Sequence, residues 1–143
     1  MLDGRQKDGF TYPVAIYDHR DGVAITGGFV YTGPIAALRG KFVFGDINRG
    51  RVFASDVAAM KKADDGIPQT VAPVEEVQLY FRDARGNRVY TSFRELVERT
   101  RGAGMTRADL HLSVGRTGEL FLTSRQDGMI RMLVPDAGAT ASR

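Results

Sequence analysis

Apolar and polar residues alternate with a period of two along most of this chain. In DLHLSV, Leu110, Leu112 and Val114 fall on one side, and Asp109, His111 and Ser113 on the other. In VQLYFR, Val77, Leu79 and Phe81 oppose Gln78, Tyr80 and Arg82. Strands of this kind bury one face, as antiparallel sheets do. The stretch from Gly27 to Phe53, GGFVYTGPIAALRGKFVFGDINRGRVF, reads as three short apolar strands cut apart by turns. Turn signals recur between apolar runs: Asp21-Gly22, Arg49-Gly50, Arg85-Gly86-Asn87, Thr117-Gly118 and Asp127-Gly128. Glycine there supplies the positive φ that hairpin turns require. Strands are predicted near 13–17, 24–31, 41–46, 51–55, 75–82, 88–91, 109–114, 119–124 and 129–134.

One short helix is predicted. Ser92-Phe93-Arg94-Glu95 has the form of a capping box, and Phe93, Leu96 and Val97 form one apolar helical face ending before Gly102. Residues 57–73 form a long connection with one helical turn at VAAMKK, before Asp64-Asp65-Gly66. Many short strands separated by turns suggest a sandwich, a barrel or a propeller, and the pattern alone does not choose among them. The connections are too short for crossover helices, so the clusters 24–55 and 109–134 are predicted to be antiparallel. The second is expected to be a three-stranded meander, with Leu110 and Leu112 facing the neighbouring sheet.

Composition narrows the picture. The 143 residues, 43% of them hydrophobic, have the length and content of one globular domain. No cysteine is present, which excludes disulfides, zinc-thiolate sites and a thiol nucleophile. The net charge of +3 is carried mostly by scattered arginines without interleaved aromatics, so no nucleic-acid partner is expected. No apolar run approaches the ~20 residues needed to cross a bilayer, so no membrane span is expected. The opening MLDGRQKDGF lacks the apolar centre of a signal peptide.

Four stretches carry a resemblance when taken in order: YPVAIYDHRDGVAITGGFVYTG, LRGKFVFGDINRGRVFASDV, VEEVQLYF and RADLHLSVGRTGELFLTSRQDGMIRML. Together they resemble the C-terminal part of the glucose/sorbosone dehydrogenase family, soluble sugar dehydrogenases that use pyrroloquinoline quinone. The resemblance covers residues 12–135. It implies an all-β chain forming an incomplete β-propeller, with about two to three antiparallel blades of the family's six and one short helix. Residues 1–11 are then an N-terminal extension and 136–143 a disordered tail. The chain would be the tail of a larger protein, periplasmic or secreted in its parent form.

The resemblance also implies chemistry. The family passes a hydride from a sugar hydroxyl to the quinone, with calcium at the site and a histidine as general base. Neither His19 nor His111 matches that base, so no catalytic residue is expected in this chain. The family's Lys-Arg pair that contacts the quinone falls on Asn48-Arg49, and its later arginine pair on Arg107 alone. Cations suit a quinone that bears several carboxylates. Asp64-Asp65-Gly66 resembles a calcium loop but lacks the spaced ligands, and reads as a solvated turn. The expectation is a segment of a quinone-dependent aldose dehydrogenase, inactive by itself, whose parent meets a sugar and an electron acceptor. The alternative is a propeller used as a non-catalytic binding scaffold. An open fragment would also self-associate through uncovered blade faces, at Phe42, Phe44, Phe121 or Leu122.

Overall fold

Alternation becomes ladder wherever a partner strand lies alongside. The computed structural model describes residues 11–82, 85–90, 92–102 and 104–136. Strands β1 (Ile25–Val30), β2 (Lys41–Asp46), β3 (Val52–Asp56) and β4 (Glu75–Glu76) form a four-stranded antiparallel sheet in chain order. A bulge between Thr26 and Gly28 shifts the register of β1. A two-stranded antiparallel pair follows, β5 (Phe81–Arg82) with β6 (Arg88–Tyr90). Strands β7 (Leu110–Val114), β8 (Leu120–Ser124) and β9 (Met129–Met132) form the expected three-stranded antiparallel meander. The described residues are thus of all-β type with two short helices and one 3-10 turn, and among them no sheet closes into a barrel or a ring of blades.

The two larger sheets stack through one face each. Val43, Val52 and Ala54 of the first share a buried cluster with Leu110, Leu120 and Leu122 of the second. Helix α2 (Phe93–Arg101) joins the same core through Phe93 and Val97. Its start follows from the cap, Ser92 Oγ accepting from Glu95 N–H at 3.3 Å, and its end from Gly102, whose N–H donates to Glu98 C=O. The predicted turn at VAAMKK is a full helix, α1 (Val57–Ala63), capped by the Asp56 carboxylate on Ala59 N–H.

Three expectations are corrected. Residues 13–17 form no strand; they cross the outer face of the first sheet as a strap, where Tyr17 stacks on Phe53 and tilts against Phe44. Residues 75–82 break into β4 and β5, because only the ends of the run lie beside a partner. Val77, Leu79 and Phe81 still turn inward while Gln78, Tyr80 and Arg82 face out. The uncovered apolar side chains differ from those expected: Phe44 and Leu122 are buried, Phe42 and Phe121 half-buried, whereas Ile25, Val30, Ile130 and Met132 are exposed. The strap and the inter-sheet core cover the first set. Of the expected tail, Asp136 is held by an ion pair to Arg82 at 2.8 Å, and 137–143 lie outside the described residues, as do 1–10 of the N-terminal extension.

Candidate functional site

The turn between β2 and β3 carries Asn48 and Arg49, and a buried carboxylate builds it. Asp46 is fully buried and accepts backbone N–H groups from both sides: Val23 at 2.5 Å and Ala24 at 2.9 Å on Oδ2, Arg49 at 2.5 Å on Oδ1. The Tyr17 hydroxyl approaches the same Oδ2 at 3.4 Å. Burial alone would push this carboxyl up, but the N–H groups of Arg49, Val23, Ala24 and Asn48 outweigh it and hold Asp46 below the usual carboxylate range. Tyr17 is pushed up by burial and by the Asp46 charge. Gly22 is required by this arrangement: a Cβ there would stand 2.6 Å from Asp46 Oδ2 and run into the Tyr17 ring. Asp46 thus locks the loop 18–24 to the turn 46–50.

Arg49 extends that lock. Its guanidinium donates to the backbone carbonyls of Arg20 and His19, the latter at 3.0 Å. Arg51, two residues on, is held by Glu76 at 2.5 Å and lies over the Phe53 ring at 5.0 Å. Its charge is compensated by a carboxylate; that of Arg49 is spent on carbonyl dipoles, with no carboxylate partner among the described residues.

The second sheet delivers Arg107 to the same end of the stack. Ala108 N–H donates to Asn48 C=O at 2.7 Å, and Leu110 N–H to Ile47 C=O at 3.1 Å. These bonds stitch the start of β7 to the turn that bears Asn48. Between them sits Asp109, 1% exposed and in the left-handed region at φ 47°. Its Oδ2 accepts from Arg125 Nε at 2.8 Å and Gln126 Nε2 at 2.6 Å, and its Oδ1 lies 2.5 Å from Arg107 Nε as an ion pair without hydrogen-bond geometry. Burial opposes ionisation, yet the Arg125 and Gln126 donors and the two guanidinium charges hold the Asp109 carboxyl below its usual range. One carboxylate against Arg107 and Arg125 leaves one positive charge in excess, on guanidinium groups that are respectively half-exposed and exposed.

Sequence reasoning found Asn48, Arg49 and Arg107, and the fold brings the turn of the first two beside the strand start of the third. It missed Asp109, which alternation placed on a solvated face, and with it Arg125 and Gln126. Asp46 ends β2 and caps the turn that follows it.

Both histidines are peripheral to this chemistry. His19 is exposed and contributes its carbonyl to Arg49; His111 is exposed with Nδ1 3.5 Å from Thr26 Oγ1. Asp64-Asp65-Gly66 is a turn in which Asp65 Oδ1 accepts from Ile67 N–H at 2.8 Å. Among the described residues, no three His, Asp or Glu side chains come together as a metal site. The excess charge of the Arg107–Asp109–Arg125 cluster is accessible and held in place from beneath by the Asp109 carboxylate. Among the described residues no helix is long and apolar enough to cross a membrane. No family model, curated protein or solved structure compared with the chain matches it.

Proposed function

We propose that the chain is the C-terminal segment of a quinone-dependent sugar dehydrogenase-like propeller, and that it supplies part of the cofactor's cationic cradle. The observation that supports this reading is the backbone stitch from Asn48 to Ala108, which puts the two cation-bearing segments side by side at one end of two stacked antiparallel sheets. Pyrroloquinoline quinone, when bound, would accept the hydride from the sugar hydroxyl. The chain's own residues would hold its carboxylates, Arg107 by a charge-assisted contact and Asn48 by a neutral hydrogen bond. Arg49 positions the turn through the His19 and Arg20 carbonyls. Neither histidine matches the family's base, so in this reading the segment binds and orients the quinone without turning over. Sugar and electron acceptor would meet the quinone only in the parent protein.

A second reading, a non-catalytic β-propeller scaffold, is favoured by a specific observation. Arg49 and Arg107 both have partners within the chain, so both already perform a structural task. A spectrophotometric titration of pyrroloquinoline quinone into the wild-type chain and the Arg107→Ala variant separates the two. Weakening of several-fold in the variant is expected. Equal affinity in both, or no binding at all, removes Arg107 from the cradle and leaves the scaffold reading.

A further inference from the structure

Three Asp-Gly steps fall within the described residues, and the fold holds them differently. Such a step is where a main chain is most open to rearrangement, because glycine has no Cβ to shield its nitrogen from the neighbouring carboxyl carbon. At Asp21-Gly22 the Gly22 N–H donates to Asp18 C=O at 3.1 Å, and Gly22 is buried against the Tyr17 ring and Asp46. At Asp127-Gly128 the Gly128 N–H donates to Ser124 C=O at 2.9 Å. The Asp127 side chain is itself fully buried, paired with Arg131 at 2.5 Å and accepting from Met129 N–H at 3.1 Å. Asp65-Gly66 has neither lock. Asp65 is exposed, and among the described residues the Gly66 N–H has no hydrogen-bond acceptor. Gly66 takes φ 77° just beyond α1, and the Asp65 carboxyl has one contact, Oδ1 accepting from Ile67 N–H at 2.8 Å.

We propose that Asp65-Gly66 is a modification site, where the folded chain forms a succinimide and isomerises to isoaspartate without an enzyme. The step is an intramolecular acyl transfer. The Gly66 nitrogen attacks Cγ of the Asp65 carboxyl group, and the new C–N bond closes a five-membered imide. The nitrogen's proton and the carboxyl hydroxyl leave together as water. Water then opens the ring at one of its two carbonyl carbons. Opening at Cγ restores aspartate; opening at the main-chain carbonyl leaves the peptide running through the side-chain carbon. No electrons are exchanged and no co-reactant other than water is needed. The Ile67 N–H donates to an oxygen that gains negative charge as the nitrogen attacks. At the other two steps the nitrogen must first give up its hydrogen bond through a local opening before it can reach the carboxyl carbon. The inference does not depend on the quinone.

The test reads each step in its own tryptic peptide, because Arg20 and Arg39, Lys62 and Arg82, and Arg125 and Arg131 bracket the three. The full chain is aged folded and, in parallel, unfolded in urea, both in water enriched in heavy oxygen. Each succinimide that opens takes up a labelled oxygen, and fragmentation by electron transfer separates isoaspartate from aspartate. The ratio of folded to unfolded rate should be about one at Asp65 and lower by roughly ten-fold or more at Asp21 and Asp127. The unfolded chain thus corrects for the neighbours of each step. A ratio at Asp65 as low as at the other two, or about the same ratio at all three, would overturn the proposal. In Asp65→Glu the ring would need a sixth member, so this peptide should lose its labelled oxygen. Label retained in that variant would place the chemistry elsewhere and equally overturn the proposal.

Discussion

Replacing Asp46 by Asn should loosen the turn that presents Asn48 and Arg49, at a cost that can be worked from its contacts. The carboxylate accepts from Val23 and Ala24 on one oxygen and from Arg49 on the other, with no exposure to water. An amide has one acceptor oxygen. If that oxygen stays with Val23 and Ala24, the NH₂ group faces the Arg49 N–H and leaves a buried donor unpaired, at about 1–3 kcal/mol. The two retained bonds lose their charge assistance, worth roughly another 1 kcal/mol together. The expected destabilisation is therefore about 3 kcal/mol at pH 7, read by urea denaturation at fixed protein concentration.

The pH dependence gives a second, sharper reading. The folded-state pKa of Asp46 is depressed, so its contribution is complete above the unfolded-state value near pH 4 and is lost as pH falls through the lower folded value. The gap between wild type and variant should thus be full at pH 7 and shrink below about pH 4. Other carboxylates titrate equally in both proteins and cancel in the difference. A gap under about 0.5 kcal/mol, or one that stays constant from pH 7 down into the acid range, would refute the assignment of Asp46 as an ionised keystone.

Further outcomes follow from packing and from charge. Phe93 is buried among Val97, Phe81 and the Arg131 guanidinium, so Phe93→Ala should cost about 3–5 kcal/mol by urea denaturation. Gly118 has φ 89° and a Cβ there would stand 2.7 Å from Gly33 N, so Gly118→Ala should cost more than the ~1 kcal/mol of a strained turn alone. With quinone, calcium, an aldose and an artificial electron acceptor supplied, the chain should show no turnover above that of free quinone; robust sugar oxidation would contradict the proposed reading and point first to His19.

Strand existence was legible because period-two alternation reports which face is buried, and β2, β3, β7 and β8 each have one face in the core. Partnering was legible within the 24–55 and 109–134 clusters, where short turns join neighbouring strands, and not in the segments between and before them. Residues 13–17 are as apolar as any strand, but they lie across a sheet rather than beside an edge, so they cover Phe44 and Phe53 without joining a ladder. The run 75–82 keeps its two faces yet pairs only at its ends. The candidate site shows the same division. Asn48, Arg49 and Arg107 could be named from the sequence, whereas Asp109 could not be placed. A left-handed φ turns its side chain inward beneath Arg107, and its partners Arg125 and Gln126 lie a hairpin away. Such a cluster exists only once β7 and β8 have paired.

The most direct measurement is amide hydrogen exchange of the wild-type chain with and without excess pyrroloquinoline quinone. Slower exchange confined to residues 46–50 and 105–110, and absent in the Arg107→Ala variant, is the result expected if these two segments form the cradle. Unchanged exchange throughout, or protection only on the outer sheet faces around Ile25 and Ile130, would contradict it.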